Sequence, residues 1–204
     1  MYARLATFEN ADMSQIDELI AGIDERSSGT PEVPDIKRIL MLLDREGSST
    51  MGITFFETED ALRAAEPAFE RMGNEIPEEK RGKRTSVEIY EVAIDEIADG
   101  AKAARVSSLE GAPEGIDEGI SFIKEQILPQ VGDITGWRGL VALIDRTSGK
   151  TKTITLWDGP ESLAASEDRA NTLRSEAAAA LNEQIVGVER YEVALSKSLV
   201  ATLA

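Results

Sequence analysis

The sequence repeats itself at an offset of 101 residues, and this duplication constrains the fold more than any other feature. At that offset, Ala3-Arg4 aligns with Ala104-Arg105. No gap is needed before the last match, in which Tyr90–Ala93 aligns with Tyr191–Ala194. The identical positions cluster where strands are expected, so the chain reads as one structural unit written twice. We predict two tandem repeats, a first copy over residues 1–95 and a second over 104–204.

Each copy predicts the element order β-α-β-β-α-β. In the first copy, short β-rich runs and apolar residues at helical spacing predict four strands and two helices: Ala3–Phe8, Ser14–Asp24, Arg38–Leu43, Met51–Phe56, a helix beginning at Thr58, and Val87–Ala93. The same reading of the second copy gives Ala104–Leu109, a helical stripe from Ile116 to Ile127, Gly139–Ile144, Thr153–Trp157, Ser162–Leu181 and Val188–Ala194. This order is typical of a ferredoxin-like unit, so the predicted class is α+β. Asp95–Ala103 is the predicted linker.

A single unit of this kind leaves one face of its sheet bare, because both helices pack on the other face. On the third strand Ile53 and Phe55 alternate with Thr54 and Phe56, so both faces carry apolar side chains. An exposed apolar sheet face favours association. We therefore predict that the two copies cover each other as an intramolecular dimeric α/β barrel, a self-contained pseudo-dimer. Two independent domains that each associate elsewhere are the alternative, and further homo-oligomerisation is left open.

The composition removes many kinds of chemistry, since the chain has no cysteine and no histidine. Thiol nucleophiles, disulfides, histidine bases and thiolate or imidazole metal sites are excluded. No glycine-rich fingerprint joins a strand to a helix, which argues against flavin and nicotinamide. The acidic run Glu57–Asp60 suits a helix N-terminus better than a metal site. We expect no cofactor and no metal.

The net charge of −16 argues against two classes of partner. Nucleic-acid binders and proteins of anionic membrane surfaces gather lysine and arginine, and this chain has the opposite balance. No apolar run is long enough to span a membrane, and the start MYARLATFENAD turns acidic before a signal-peptide core could form. A cytoplasmic location is expected.

The second copy contains GWRGLVALIDRTSGKTKTITLWDGPESLAASE and closes on ERYEV, while the first has the more diverged ITFFETEDALRAAE and VEIYEV. These segments resemble the antibiotic biosynthesis monooxygenase family of dimeric α/β barrels over essentially the whole chain. The resemblance implies a small-molecule-binding barrel, with cofactor-independent oxygenation of a quinol or polycyclic aromatic substrate as one activity. The haem-degrading branch needs an axial histidine that this chain lacks. A non-catalytic binding or scaffold protein with the same fold is the alternative.

The candidate substrate-binding residues are those expected on the inner face of the barrel, and no catalytic residue is assigned. If Ile53, Phe55, Ile154 and Leu156 face the helices, then Thr54 and its counterpart Thr155 face the interior of the barrel. The other interior candidates are aromatic residues and the two arginines that recur in both copies: Arg4, Phe56, Tyr90, Arg105, Trp137, Trp157 and Tyr191. Each also has a structural interpretation: the aromatic rings as core, the tyrosines as sheet anchors, and the arginines as ion-pair partners of strand glutamates.

The two copies differ at Phe56/Trp157 and at Ile36/Trp137. Because the second copy keeps the family pattern better and carries both tryptophans, we expect any functional pocket there, around Trp157. Trp137 would mark its rim, and the first copy would be mainly structural. A larger enclosed cavity in the first copy, with Trp157 packed solid, would contradict this expectation.

Overall fold

The computed structural model describes residues 1–28, 33 and 35–199. In this part of the chain there are eight strands: β1 (Tyr2–Glu9), β2 (Ile36–Asp44), β3 (Ser49–Phe56), β4 (Lys83–Ile97), β5 (Ala103–Glu110), β6 (Trp137–Asp145), β7 (Lys150–Trp157) and β8 (Gln184–Ser198). The α-helices of the same residues are α1 (Ile16–Ser28), α2 (Glu59–Glu75), α3 (Glu78–Arg81), α4 (Ile116–Phe122), α5 (Leu128–Val131), α6 (Pro160–Ala165) and α7 (Glu167–Leu181).

The strands are hydrogen-bonded in the order β1-β3-β2-β8-β5-β7-β6-β4 and form a closed antiparallel barrel. The predicted α+β class and the barrel are thereby confirmed. The strands β4 and β8 are each 15 residues long, much longer than the sequence predicted. Because β4 continues to Ile97, the connection to β5 is shorter than the predicted linker.

Two compact units make up the chain. Unit 1 holds Met1–Tyr90 together with the chain from Val193 onward, and unit 2 holds Glu91–Glu192. In unit 1, β3 pairs antiparallel with β1 and with β2, and in unit 2, β7 pairs in the same way with β5 and β6. The boundaries at 95 and 104 describe the sequence repeat and stay a prediction.

The long helix of unit 1 begins as its sequence suggests. Thr58 is the N-cap of α2, where its side-chain oxygen accepts a hydrogen bond from the backbone N–H of Ala61 at 3.2 Å. The matching stretch of unit 2, predicted as one helix from Ser162 to Leu181, is divided between α6 and α7 at Ser166. The hydroxyl of Ser166 is buried and donates to the Leu163 carbonyl at 2.7 Å.

Between α4 and α5, unit 2 contains a π-helical turn over Ile123–Ile127. Pro129 lies two residues after its end, and proline lacks the N–H that would bond to the carbonyl of Glu125. The ladder adjusts, and the Leu128 N–H bonds to the Ile123 carbonyl instead. Ile123, the first residue of this turn, packs against Leu140 and Ala142 of β6.

The predicted facing of the third strands is wrong. Phe56 packs against Leu62 and Ala65 of α2, and Trp157 packs against Leu163 of α6. Thr54 and Thr155, two residues earlier on the same strands, therefore also lie on the helix side. Sequence alternation separates the two faces of a strand but did not identify the helix-facing one here, because both faces are apolar.

Candidate functional site

Each unit contains a cavity between its helices and its sheet. The larger, which we call the large cavity, has a volume of about 440 Å³ and lies in unit 1. Its apolar wall comes from β1, β2, α1 and α2 and includes Phe8, Ile16, Leu19, Met41, Phe69 and Met72. The sheet and two helices thus enclose a space with aromatic and thioether walls.

Arg4 is a charged group buried against this cavity, with 5% of its surface exposed. Its Nε donates to Glu66 Oε1 at 3.0 Å, which ties β1 to α2. The guanidinium carbon lies 4.4 Å from the centre of the Phe69 ring, within the range of a cation–π interaction. The positive charge is held in place by an acid and a ring on the same helix.

The hydroxyl of Thr54 also borders the large cavity. Its oxygen is buried and has no hydrogen-bond partner among the described residues. A buried polar group without a partner costs free energy, so such groups call for an explanation. A ligand oxygen in the cavity would supply the missing partner.

The remaining charges of the large cavity are organised by short ion pairs and carbonyl contacts. Arg84 donates to both carboxylate oxygens of Glu70, at 2.7 and 3.0 Å, and this hydrogen bonding holds the pKa of Glu70 below its usual value. Arg81 donates to the carbonyls of Gly73 and Ile76 at the end of α2, at 2.9 and 3.1 Å. Among the described lining residues, basic side chains outnumber acidic ones: Arg4, Arg26, Arg81, Lys83 and Arg84 against Glu70 and Glu78.

The second space, which we call the small cavity, has a volume of about 100 Å³ and lies in unit 2. Its walls are mainly aliphatic and include Ile116, Ile120, Ile123, Ile127, Leu140 and Leu173. Arg105, Ser107 and Leu109 project into it from alternate positions of β5. Thr153, Thr155 and Trp157 do the same from β7.

Arg105 is almost completely buried, with 1% of its surface exposed, and burial lowers its pKa. Its Nη2 donates to the Leu163 carbonyl at 2.9 Å, to Ser166 Oγ at 3.1 Å and to Glu167 Oε2 at 3.0 Å. The Nε and Nη1 groups have no acceptor among the described residues. Burial acts to raise the pKa of Glu167, but hydrogen bonds from Arg190 and Arg105 outweigh it, so that pKa lies below its usual value.

Two further charged groups line the small cavity. Arg174 on α7 donates from Nε to Ser107 Oγ at 2.9 Å, and burial together with the charge of Arg105 lowers its pKa. Glu183 follows α7, and burial raises the pKa of its carboxyl. Glu183 lies beside Gly111, just beyond the end of β5, whereas Arg105 lies near the start of that strand.

At two pairs of matched lining positions, the small cavity has a larger side chain than the large cavity. Gly52 and Gly73 line the large cavity, and the positions matched to them in the second copy are Thr153 and Arg174, which line the small one. Each replacement puts a side chain where the first copy has none. The larger cavity is thus in unit 1, whereas the sequence favoured the second copy, and Trp157 lines only the smaller one. The glycines were the sequence signal that could have predicted this. Which copy holds a functional pocket stays a prediction.

Five of the predicted site residues border a cavity. Arg4 and Thr54 lie at the large cavity, and Arg105, Thr155 and Trp157 lie together at the small one. Trp157 is buried, with 1% exposed, and its Nε1 donates to Thr155 Oγ1 at 3.2 Å. Their role in binding a substrate stays a prediction.

The other four predicted residues are absent from the described lining of these two cavities. Phe56 lies under α2, and Trp137 packs edge-on against Trp157 with ring centres 5.6 Å apart. The hydroxyl of Tyr90 donates to Glu88 Oε1 at 3.0 Å. Tyr191 is paired in register with Ala104, so it lies on the opposite sheet face from Arg105.

Both arginines on the opening strands pair with a glutamate on a following helix. Arg4 bonds to Glu66 and Arg105 to Glu167, so the two pairs occupy matched positions of the two copies. The sequence predicts glutamates of neighbouring strands as their ion-pair partners, and the structure shows helix glutamates instead. The sequence contained a sign of this pairing, because both arginines and both glutamates recur at the offset of 101 residues. The alternation pattern of a single strand, however, does not connect a strand arginine to a helix glutamate.

The described residues contain no group of three or more aspartate, glutamate, histidine or cysteine side chains placed to hold a metal ion. Within the same residues, no helix combines the length and apolarity that a membrane crossing requires.

No family model matches the chain. An uncharacterised protein of Mycobacterium tuberculosis is 25% identical over 141 residues, which cover 67% of this chain and 62% of the relative. A second uncharacterised protein of that organism is 30% identical over 92 residues, 45% of this chain and 39% of the relative. The chain therefore aligns with less than two thirds of the length of either relative.

Solved structures resemble the chain over nearly its whole length. An anthrone oxidase-like protein superposes with a TM-score of 0.67 at 15% identity, covering 100% of this chain and 95% of the other. A protein of Lactobacillus acidophilus provisionally described as a monooxygenase gives 0.66 at 10% identity, covering 97% and 96%. A ferredoxin-fold protein of Listeria monocytogenes, related to antibiotic biosynthesis monooxygenases, gives 0.52 at 9% identity, covering 94% of each chain. The chain shares their fold.

Proposed function

We propose that the chain binds a small acidic aromatic molecule, a quinol or a polycyclic phenol or anthrone, in the large cavity and oxidises it with molecular oxygen and no bound cofactor. The proposal would make the chain a functional member of the antibiotic biosynthesis monooxygenase group. The observation that carries it is the large cavity itself, which combines aromatic walls, basic side chains and the unpaired hydroxyl of Thr54.

Volume favours the large cavity over the small one. Small-molecule sites commonly measure about 300–1,000 Å³, and about 440 Å³ falls in that range. A cavity of about 150 Å³ accommodates benzene. At about 100 Å³ the small cavity is too small for a bicyclic or tricyclic ring system.

Charge favours the anionic form of the substrate. A phenol titrates near pH 10, and a nearby positive charge lowers such a pKa because it stabilises the anion. Arg4 provides that charge from a buried position in the cavity lining, so the ligand binds as its anion and releases its proton to solvent. This basic lining stands in a chain whose net charge is −16.

The chemistry needs only this deprotonation, oxygen and exclusion of water. The phenolate or enolate gives one electron to oxygen, and the radical pair combines to form a C–O bond. For a CH₂ substrate, the O–O bond then breaks, one oxygen stays as a carbonyl, and the other leaves as water with the two hydrogens of the carbon. Four electrons pass from carbon to oxygen, so the reaction balances without another reductant.

Two substitutions at matched positions test the site. Gly52→Leu fills the large cavity, because a Cβ at Gly52 meets no atom within 4 Å, and Thr153→Leu fills the small cavity. Oxygen uptake is measured with a panel of hydroquinones and anthrones. We expect Gly52→Leu to abolish turnover and Thr153→Leu to retain it. The reverse pattern would place the reaction in unit 2.

Ligand binding without turnover would support the non-catalytic alternative. Fluorescence or calorimetric titration with the same aromatic panel, carried out without oxygen, separates the two cases. If the aromatic molecules bind and Gly52→Leu prevents it, but no oxygen is consumed, the chain is a binding protein. If no panel member binds, the proposal of an aromatic site in the large cavity fails.

A further inference from the structure

We propose that the small cavity of unit 2 is a separate binding site for a short-chain aliphatic carboxylate, with the carboxylate on Arg105 and the hydrocarbon chain among the isoleucines. This site is independent of the oxidation proposed for the large cavity, since different residues of a different unit form it.

The first observation is the incomplete hydrogen bonding of Arg105. Its Nη2 is fully occupied by Leu163, Ser166 and Glu167, which fixes the guanidinium in one position. Its Nε and Nη1 groups lack acceptors among the described residues. Water cannot supply them readily, because only 1% of the residue's surface is exposed. Buried donors without acceptors are rare because each costs free energy. An oxygen ligand in the cavity would complete the set.

The second observation is an excess of positive charge around that position. The charges of Arg105 and Arg190 both act to lower the pKa of Arg174, and Glu167 is the acid that bonds to Arg105 and Arg190. A buried charge is stable only when it is paired. A ligand anion supplies a second negative charge, and a charged acceptor makes shorter and stronger hydrogen bonds to arginine than a neutral one.

The walls decide which anion fits. Away from Arg105 the lining is mainly aliphatic, with Ile116, Ile120, Ile123 and Ile127 from the helical segment, Leu140 from β6 and Leu173 from α7. An inorganic anion would leave this surface without contacts. Since a cavity of about 150 Å³ holds the six carbons of benzene, about 100 Å³ suits an aliphatic chain of about four carbons.

Glu183 limits the length of the ligand. It lies just beyond the end of β5, and burial raises the pKa of its carboxyl. A longer chain, or a diacid with a second carboxylate at that end, would meet this group. The site therefore selects a monocarboxylate with a short apolar chain.

The test is a titration of the ¹⁵N-labelled full chain with sodium butyrate near neutral pH, followed by the Arg105 Nε–H resonance and the backbone amides of β5 and β7. We expect saturable shifts confined to unit 2. Butyrate should bind more tightly than acetate or octanoate. Butyramide should bind at least about tenfold more weakly, because its carbonyl has no negative charge and therefore makes a weaker hydrogen bond to the guanidinium than a carboxylate does. Shifts that do not saturate, or equal binding of acid and amide, would overturn the proposal.

Variants separate a built site from general attraction of an anion. Arg105→Gln and Thr153→Leu should each weaken butyrate binding at least about tenfold. Arg169→Gln, which removes an exposed arginine of α7 outside the lining, and Gly52→Leu should leave it within about threefold. Because Arg105→Gln also breaks the contacts at the joint of α6 and α7, Thr153→Leu keeps the test decisive if that variant unfolds.

The failure of this proposal and that of the oxidation are distinguishable. Loss of aromatic turnover in Gly52→Leu with unchanged butyrate binding concerns the large cavity alone. Retention of butyrate binding in Thr153→Leu would show that the small cavity is not the carboxylate site, whatever the outcome for oxygen uptake.

Discussion

At the scale of single residues, Thr54 and Thr155 occupy matched positions but differ in hydrogen bonding. Thr155 Oγ1 accepts from Trp157, whereas Thr54 Oγ1 is buried without a partner among the described residues. We expect Thr54→Val to raise the free energy of unfolding by up to about 1 kcal/mol, because it removes an unsatisfied group. Thr155→Val should lower it by about 1 kcal/mol, since the indole N–H loses its acceptor. Urea denaturation measures both, and equal changes would contradict the assignment.

Glu183 gives a stability change with a defined pH dependence. Burial raises the pKa of its carboxyl in the folded state, so folding favours the protonated form. Its contribution to stability is therefore greatest at acid pH and falls as the pH rises from its unfolded value of about 4.3 through the folded value. We expect Glu183→Gln to be more stable than wild type near neutral pH and to lose that advantage below about pH 4.

The measurement is urea unfolding at several pH values, with Glu176→Gln, an exposed position on α7, as control. A Glu183→Gln variant that is less stable than wild type near neutral pH would mean that the carboxylate has a stabilising role.

The sequence predicted which arginines border the cavities better than it predicted their ion-pair partners. Arg4 and Arg105 stood out as matched charges on strands, and both border cavities. Their partners Glu66 and Glu167 lie 62 positions away in sequence, on helices. A contact between elements depends on how a helix lies across the sheet, and residue spacing within one strand carries no information about it.

At the scale of elements, β6 depends on one glycine. Gly139 has φ of +135°, and β6 shifts register with β7 between Trp137 and Gly139. A Cβ at this position would collide with the backbone carbonyl of Glu96 on β4. We expect Gly139→Ala to lower the free energy of unfolding by more than about 1 kcal/mol, because both the backbone angle and the contact oppose a side chain.

The control for this prediction is Gly22→Ala in α1, where a Cβ meets nothing within 4 Å. It should stabilise the protein by about 0.5–1 kcal/mol through helix propensity. Thermal and urea unfolding compare the two variants. If Gly139→Ala is as stable as wild type, the local geometry of β6 is different from the one described.

The order of elements was predictable and the facing of the strands was not. The period of two along β3 and β7 identified strands, and the repeat supplied each element twice, which corrected local ambiguity. To predict which side of a strand faces the helices, the sequence must have one apolar and one polar side. Ile53, Phe55, Phe56 and Trp157 are all buried, so the sequence held no such contrast.

At the scale of the whole molecule, the net charge of −16 sets the response to salt. Like charges on a folded chain repel one another, and salt weakens this repulsion as the Debye length falls from about 30 Å at 0.01 M to about 8 Å at 0.15 M. We expect the free energy of unfolding to rise between those concentrations of NaCl. A fall would show that surface ion pairs such as Arg45–Asp17 outweigh the net repulsion.

The barrel could be predicted from the sequence, because the repeat and the apolar sheet faces extend over the whole chain. The location of the larger cavity could not be predicted in this way. Two tryptophans drew attention to the second copy. Cavity volume is instead decided by small residues, and Gly52 and Gly73 leave space where Thr153 and Arg174 fill it. In a sequence, a glycine within a strand or helix indicates only that the element is less stable there. That it lines a cavity becomes visible only in the folded structure.

The most direct test of the account is a crystal structure of the protein with a polycyclic phenol or anthrone bound in the absence of oxygen. The account predicts the aromatic rings between Phe69 and Met41 in the large cavity, with a ligand oxygen within hydrogen-bonding distance of Thr54 or Arg4. Aromatic density beside Trp157 in unit 2, with the large cavity free of ligand, would contradict it.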